Sequence, residues 1–143
     1  GSEMCIRDSL HNRLKLINET PDCLFISIHQ NSYPYPNNTG TQVFYSPNHP
    51  ESQALAAAIQ QSVIHLIQPQ NTRKVKKSGT EIYLLYQAKT PAVMVECGFM
   101  SNAQETEKLR TEAYQNELAL SIFYGVLSYL NGIGTADATP AAQ

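Results

Sequence analysis

Two short stretches of the sequence are apolar at nearly every position, a pattern typical of strands that are covered on both faces. One is CLFISI at residues 23–28, which leads into His29, and the other is AVMV at residues 92–95, which leads into Glu96. A third stretch, TQVFY at residues 41–45, is a further strand candidate. We therefore predict strands over residues 23–29, 41–45 and 92–95.

Apolar residues three or four positions apart predict helices around these strands. The first helix begins near Leu10, after Asp8 or Ser9 as its N-cap, and ends before Pro21. The second covers residues 51–67. Their buried stripes are predicted to be Leu10, Leu14 and Ile17 in the first helix and Leu55, Ile59, Val63 and Leu66 in the second.

Two further helices are predicted in the C-terminal half. Asn102 followed by Glu105 resembles a capping box, in which side chains satisfy the first free N–H groups of a helix. Residues 114–130 form the other helix, whereas residues 82–86 fit a short strand or a short helix equally well. The inward residues of the helix over 114–130 are expected to be Leu118, Ile122, Phe123, Val126, Leu127 and Leu130.

Strands that alternate with helices imply an α/β fold with a layered, largely parallel sheet flanked by helices on both faces. A chain of 143 residues is long enough for one domain, which we predict over residues 10–130. Residues 1–9 show no periodicity and start with Gly-Ser, as a tag remnant does. Residues 131–143 are small and polar and are expected to form a flexible tail.

Composition and charge exclude several classes of function. A formal net charge of −2 argues against general binding to nucleic-acid phosphates. No apolar run approaches the roughly 20 residues of a membrane span. The three cysteines lack the number and spacing of a disulfide framework or a C-x-x-C site. Cys23 and Cys97 each border an apolar run, and we expect them to be small buried hydrophobes.

A histidine and a glutamate follow the two most apolar strands. Ligands of open α/β sheets bind beyond the carboxyl ends of the strands, and parallel strands end at the same edge. His29 and Glu96 are therefore expected to face one pocket. Imidazole is a good Zn²⁺ ligand, and a carboxylate that is not a ligand can act as a general base on water. Taken singly, either residue is as easily a hydrogen-bonded or capping residue of the fold.

Three stretches carry a family resemblance. They read FISIHQNS at residues 25–32, GTQVFY at 40–45 and PAVMVECGFMSN at 91–102. Together they resemble the zinc-dependent N-acetylmuramoyl-L-alanine amidases, and most closely the branch that trims the spore cortex. The segment NRLKLIN at 12–18 looks like the helix that precedes the SIH strand in that family. The resemblance runs from about Arg7 to Leu130.

The resemblance implies a peptidoglycan hydrolase that cleaves the amide between N-acetylmuramic acid and the L-alanine of the stem peptide. His29 matches a zinc ligand and Glu96 matches the catalytic glutamate, which implies Zn²⁺ as cofactor. Asn31 either orients the substrate or starts the turn of the following loop. The family also implies an extracytoplasmic location, in the cell wall or spore cortex, and in some relatives a lipoprotein partner.

The chain departs from the family in its zinc ligands. The family's other two, a histidine and a glutamate, precede the helix that contains NRLKLIN, so we expect the first strand and helix of the fold to be missing and the activity to be impaired. His11, His49 and His65 do not match the family's ligand motifs. His49 suits a helix cap, and His65 lies off the apolar stripe of its helix and is expected to be solvated.

Two alternatives to the amidase function stay open, and so does the role of one basic run. A zinc carboxypeptidase-like hydrolase also uses His and Glu at strand ends, although the sequence around Glu96 is typical of the amidases. A catalytically inactive module that binds peptidoglycan or docks on a partner protein is the other candidate. The basic run of Arg73, Lys74, Lys76 and Lys77 is either a solvated face or a surface for the carboxylates of peptidoglycan stems.

Overall fold

Helices and strands alternate along most of the chain in a computed structural model that describes residues 2–31 and 36–132. The described part contains five helices and four strands. The helices are α1 (Ser2–Glu19), α2 (Ser52–Leu66), α3 (Tyr83–Gln87), α4 (Ala103–Arg110) and α5 (Glu112–Leu130), and the strands are β1 (Phe25–Asn31), β2 (Gln42–Tyr45), β3 (Lys76–Lys77) and β4 (Ala92–Phe99).

The four strands form one sheet in the order β1-β4-β2-β3. β1 runs parallel to β4, and β3 runs parallel to β2, whereas β2 is antiparallel to β4. The sheet is therefore mixed, with two of its three ladders parallel. β4, the most apolar strand, lies in the interior of the sheet, as its sequence predicts.

One face of the sheet is covered by α2, α4 and α5. Alternate residues of β4 point to this face, since successive side chains of a strand point to opposite sides. The main core lies here. Its buried residues are Val43, Leu55, Ala56, Ile59, Val63, Val93, Val95, Cys97, Leu109, Leu118 and Ile122.

The other face is covered by α1 and α3. Ile17, Leu85, Ala88 and Ala92 form its smaller buried cluster, against which Phe25, Phe44 and Met94 are packed. Helices thus lie on both faces of the sheet, which confirms the predicted α/β class. Residues 82–86, which fitted a strand or a helix, lie mostly in α3.

The N-terminal helix is longer than its sequence pattern suggested. α1 begins at Ser2, so the expectation of an irregular start before Leu10 is wrong. Residues 2–9 contain neither Gly nor Pro, and acidic Glu3 lies in the first turn, where it favours a helix. Most of these residues are exposed and so show no apolar stripe, although Ile17 is buried as predicted.

Four large residues predicted to face inward are exposed. Leu66 of α2 and Phe123, Leu127 and Leu130 of α5 have between 36% and 61% of their surface accessible. Small residues take the inward positions of α5, because Ser121 and Gly125 are buried against α2 while Leu118 and Ile122 are buried as expected. A search for large apolar residues does not reveal a helix contact that is made by small residues such as Ser121 and Gly125.

The tail predicted over residues 131–143 is described only at its start. Residues 133–143, most of that tail, lie outside the described residues. Among the described helices, none combines the length and the apolar character that crossing a bilayer requires.

Candidate functional site

His29 and Glu96 lie side by side, as the sequence predicts. They are direct register partners in the parallel ladder of β1 and β4. His29 Nδ1 is 3.7 Å from Glu96 Oε1. Both project from the face that carries Phe25 and Met94, because each lies an even number of residues from one of these. The topology therefore places an imidazole and a carboxylate at one point of the sheet.

Neither residue ends its strand, so the predicted strand ends are wrong. β1 continues to Asn31 and β4 to Phe99, with an irregularity in the ladder between His29 and Asn31. A polar side chain does not stop a strand whose backbone still finds partners and whose next residues, Cys97 and Phe99, are buried.

Gly98, two residues after Glu96, is an ordinary residue of β4 and has no positive φ. A Cβ atom added there would lie 2.8 Å from Glu105 Oε2, so the Glu105 side chain would have to shift. Gly98 thus lies in close contact with α4 and does not form a turn.

The two partners differ sharply in exposure. The side chain of Glu96 is 9% exposed, whereas that of His29 is 63% exposed. Glu96 Oε2 is buried without a hydrogen-bond partner among the described residues. Burial raises the pKa of the Glu96 carboxyl, and the nearby His29 partly opposes that rise. A carboxylate held in this way can accept a proton from water more readily than an exposed one.

The cysteine next to Glu96 points away from it. Cys97 belongs to the core under α2, α4 and α5, and it is 2% exposed. Burial, together with the charge of Glu96, raises the pKa of the Cys97 thiol to about 11, so the thiolate is scarce at neutral pH. Cys97 is a buried hydrophobe, as expected, whereas Cys23 is only half-buried.

Gln42, which the sequence analysis missed, extends the pair into a row of three. It is the register partner of Glu96 on the side opposite His29, in the antiparallel ladder of β2 and β4. Directly opposed residues project to the same face with Cβ atoms about 5 Å apart. The only signal for it was its place inside the GTQVFY stretch, which does not by itself indicate a partner for Glu96.

Asn102, the N-cap of α4, and Glu105 in its first turn fix the loop that leads into β2. The Asn102 side chain accepts hydrogen bonds from the N–H groups of Gln104 and Glu105 and donates one to the carbonyl of Pro36. The predicted N-cap is therefore confirmed. Glu105 does not reach back to complete a capping box. Its buried carboxylate accepts from the N–H of Gly40, which adopts a positive φ of 90°.

Buried glutamines hold the start of β2 from its other face. Gln60 of α2 accepts from the N–H of Val43 at 2.8 Å and donates to the carbonyl of Thr41 at 3.0 Å. Gln68 accepts from the N–H of Thr41 at 2.9 Å. These bonds, together with Glu105, fix the backbone on either side of Gln42.

The remaining predicted candidates do not join the site. His65 is exposed, as expected, and His49 Nδ1 accepts from the N–H of Glu51 near the start of α2. His11 lies in the middle of α1 and contacts the hydroxyl of Tyr83 at 3.3 Å. Asn31 ends β1, and its side chain lies outside the described part of the structure.

The residues around His29 do not by themselves fit a complete zinc site. Among the described residues, no group of three or more His, Cys, Asp or Glu side chains could hold a metal ion. Catalytic zinc generally needs three protein ligands, and the only imidazole beside Glu96 in that part of the chain is His29.

A family model described as N-acetylmuramoyl-L-alanine amidase matches residues 4–128. The germination-specific N-acetylmuramoyl-L-alanine amidase of Bacillus subtilis is 35% identical over 127 residues, which are 89% of this chain and 53% of that protein. The uncharacterized protein YqiI of Bacillus subtilis is 33% identical over 108 residues, and the match covers 50% of its length. The chain thus spans about half the length of these relatives.

Solved structures give the same relationship. The CwlD amidase from Clostridioides difficile, in complex with the GerS lipoprotein, superposes with a TM-score of 0.86 at 33% identity, over 92% of this chain and 66% of that one. The amidase AmiC2 of Nostoc punctiforme superposes with a TM-score of 0.76 at 28% identity, over 85% of this chain and 65% of that one. Sequence and fold therefore point to the same group of proteins.

Proposed function

The chain belongs to the N-acetylmuramoyl-L-alanine amidase family, and from this premise we propose that it cleaves the amide between N-acetylmuramic acid and the L-alanine of the stem peptide. The observation that carries the proposal is the buried carboxylate of Glu96 beside the His29 imidazole, with its Oε2 lacking a hydrogen-bond partner among the described residues. Amide hydrolysis needs a base for the attacking water and an acid for the leaving nitrogen.

Glu96 serves both needs in turn. Its carboxylate takes a proton from the attacking water, and the resulting carboxyl returns that proton to the nitrogen of the departing L-alanine. The raised pKa of Glu96 suits this cycle, because a carboxyl of ordinary pKa holds a proton poorly at neutral pH. The exposed side of His29 leaves the substrate a way in from solvent.

We further propose Zn²⁺ as the cofactor, with His29 as one of its ligands. At the site the described residues supply a single imidazole, that of His29, so the chain is expected to bind zinc more weakly than micromolar. Calorimetric titration of the metal-free protein measures this affinity, with His29→Gln to remove the ligand and His65→Gln as the matched surface control. A one-to-one site of submicromolar affinity would show that the ligand set has been misjudged.

The partners and location follow from the same premise. We propose cell-wall or spore-cortex peptidoglycan as the substrate, which places the protein outside the cytoplasm. The Bacillus subtilis relative is named germination-specific, and the Clostridioides difficile structure contains a lipoprotein. A lipoprotein partner is therefore proposed for this protein as well.

A second candidate, an inactive module that binds peptidoglycan or docks on a partner protein, is favoured by one observation. The described residues hold no three-donor metal group, and an amidase without its metal can still recognise its substrate. This candidate needs the shape of the site but no proton transfer by Glu96.

Incubation with purified cortex peptidoglycan distinguishes the two candidates. Retention on the pellet and release of stem peptides with a free L-alanine amino group are measured with added zinc and with chelator. We expect slow release that chelator abolishes. Retention that is independent of metal, with no peptide released, would favour the binding module. Neither retention nor release would contradict both.

A further inference from the structure

The row of polar residues at the site extends one strand further than Gln42. The side-chain amide of Gln42 donates to the carbonyl of Lys74 at 2.9 Å, and its oxygen accepts from Arg73 Nη1 at 3.5 Å. His29, Glu96 and Gln42 occupy three adjacent strands at one level. The segment leading into β3 thus continues this level through Lys74, and the neighbouring Arg73 is the residue of this segment whose side chain contacts that of Gln42.

Arg73 is held in place by three different groups. Besides Gln42, its Nε donates to the carbonyl of Thr39 at 2.7 Å, and its guanidinium lies 4.6 Å from the centre of the Phe99 ring. Stacking on an aromatic face and a bond from Nε leave other N–H groups of a guanidinium free to bind a ligand. The orientation of this cation is therefore largely fixed before any ligand arrives.

The fixed cation has no acidic partner in the described part of the chain. No Asp or Glu there lies within salt-bridge distance of Arg73, since the ion pair found is that of His29 with Glu96. Arg73 also lines a cavity of about 440 Å³ whose other walls are neutral polar residues. These are Asn37, Asn38, Thr39, Gln42, Gln70, Asn71 and Thr72.

We propose that Arg73 binds a carboxylate of the stem peptide, the α-carboxylate of the acidic residue that follows L-alanine. This inference rests on the proposed function, which places the scissile amide at Glu96. Strands lie about 4.8 Å apart, so the backbone near Arg73 is about 10 Å from that of Glu96. An extended peptide advances about 3.3–3.6 Å per residue, and an arginine side chain covers the remaining distance.

The chemistry favours arginine over the lysines of the same basic run. A guanidinium presents a planar pair of N–H donors that matches a carboxylate, whereas an ammonium is a mobile point charge. Lys77 offers a matched comparison. It is the register partner of Tyr45, one residue from Phe44, and so projects from the opposite face of the sheet to Gln42.

Two muramyl tripeptides test the proposal on the full chain. They differ only in whether the α-carboxyl of the second amino acid is free or is a carboxamide, and dissociation constants are measured by NMR titration. We expect the free acid to bind about tenfold more tightly to the wild type, as one charge-assisted bond allows. Arg73→Gln should remove this preference, and Lys77→Gln should keep it.

Each other outcome overturns the proposal in a recognisable way. Equal binding of both peptides by the wild type contradicts the carboxylate subsite and leaves the proposed function intact. Binding of neither contradicts the subsite and the function together. If Arg73→Gln and Lys77→Gln lose the preference for the free acid equally, the preference comes from net charge and not from Arg73.

The variant Arg73→Lys tests whether Arg73 acts only by supporting the structure. Arg73 also holds the carbonyl of Thr39, so a purely structural effect of Arg73→Gln would loosen the loop and weaken both peptides equally. Arg73→Lys restores the charge without the planar donors. We expect Arg73→Lys to recover part of the preference for the free acid at moderate salt. If Arg73→Lys instead shows no preference and binds both peptides equally weakly, the subsite is refuted.

Discussion

Replacing Glu96 by glutamine is expected to slow the release of stem peptides by a factor of about 10²–10⁴, the usual contribution of a general base. Glutamine has nearly the same shape but cannot take a proton from water. The rate is measured by mass spectrometry of released peptides over a long incubation with zinc. Glu107→Gln, on the exposed side of α4, is the matched control and should leave the rate unchanged.

The stability of this variant separates a chemical effect from misfolding. Folding raises the pKa of Glu96 above its value in the unfolded chain. At pH values between these two pKa values, the folded state therefore binds more protons than the unfolded state does. The wild type therefore loses stability as the pH rises through the folded pKa. The glutamine of Glu96→Gln does not titrate. Near neutral pH the free energy of unfolding of this variant should therefore exceed that of the wild type by an amount on the order of 1 kcal/mol.

Urea unfolding in chelator measures this difference. The gap between the two proteins should close below about pH 4, where the carboxyl is protonated in both states. A variant that loses stability at every pH would mean that Glu96 supports the fold. A stable variant that releases peptides as fast as the wild type would exclude Glu96 as the base.

The core of the site could be predicted from the sequence because two of its strands are recognisable from their apolar pattern. CLFISI and AVMV are apolar on both faces, and such strands pair in parallel inside a layered fold. That pairing alone brings His29 and Glu96 together, whatever the loops between them do. The ends of these strands could not be predicted, because backbone pairing continues past the first polar side chain to Asn31 and Phe99.

The rest of the site depends on contacts that leave no periodic pattern. Gln42 gains its place from an antiparallel register, and Arg73 from hydrogen bonds to Gln42 and Thr39. Glu105 fits a capping box in sequence but bonds to Gly40, far away in the chain. Residue spacing predicts contacts between residues three or four positions apart, whereas these contacts join residues that are distant in the sequence and meet only in the folded protein.

Gly125 is the clearest case of a residue whose role the pattern conceals, and alanine there is expected to destabilise the protein by about 2–3 kcal/mol. An added Cβ atom would lie 2.6 Å from the Cα of Ile59 and 3.0 Å from the carbonyl oxygen of Ala58, both backbone atoms of α2. No side-chain rotation relieves such a contact, so α2 must move away from α5.

Helix propensity makes the opposite prediction, which gives the test its strength. Alanine in place of glycine inside a helix normally gains about 1 kcal/mol. Asn116→Ala, on the exposed face of α5, gives the effect of propensity alone and should be neutral or slightly stabilising. Unfolding free energies from urea titration compare the three proteins, and a Gly125→Ala chain as stable as the wild type would refute the close helix contact.

The consequence for function follows from what α2 carries. Gln60 of α2 bonds to the backbone on both sides of Gln42, so a displaced α2 pulls on the strand beside Glu96. Gly125→Ala should therefore weaken muramyl tripeptide binding even under conditions where the chain stays folded. Because Asn116→Ala leaves α2 in place, it should bind as the wild type does, and equal weakening in both variants would break the proposed link between this helix contact and the site.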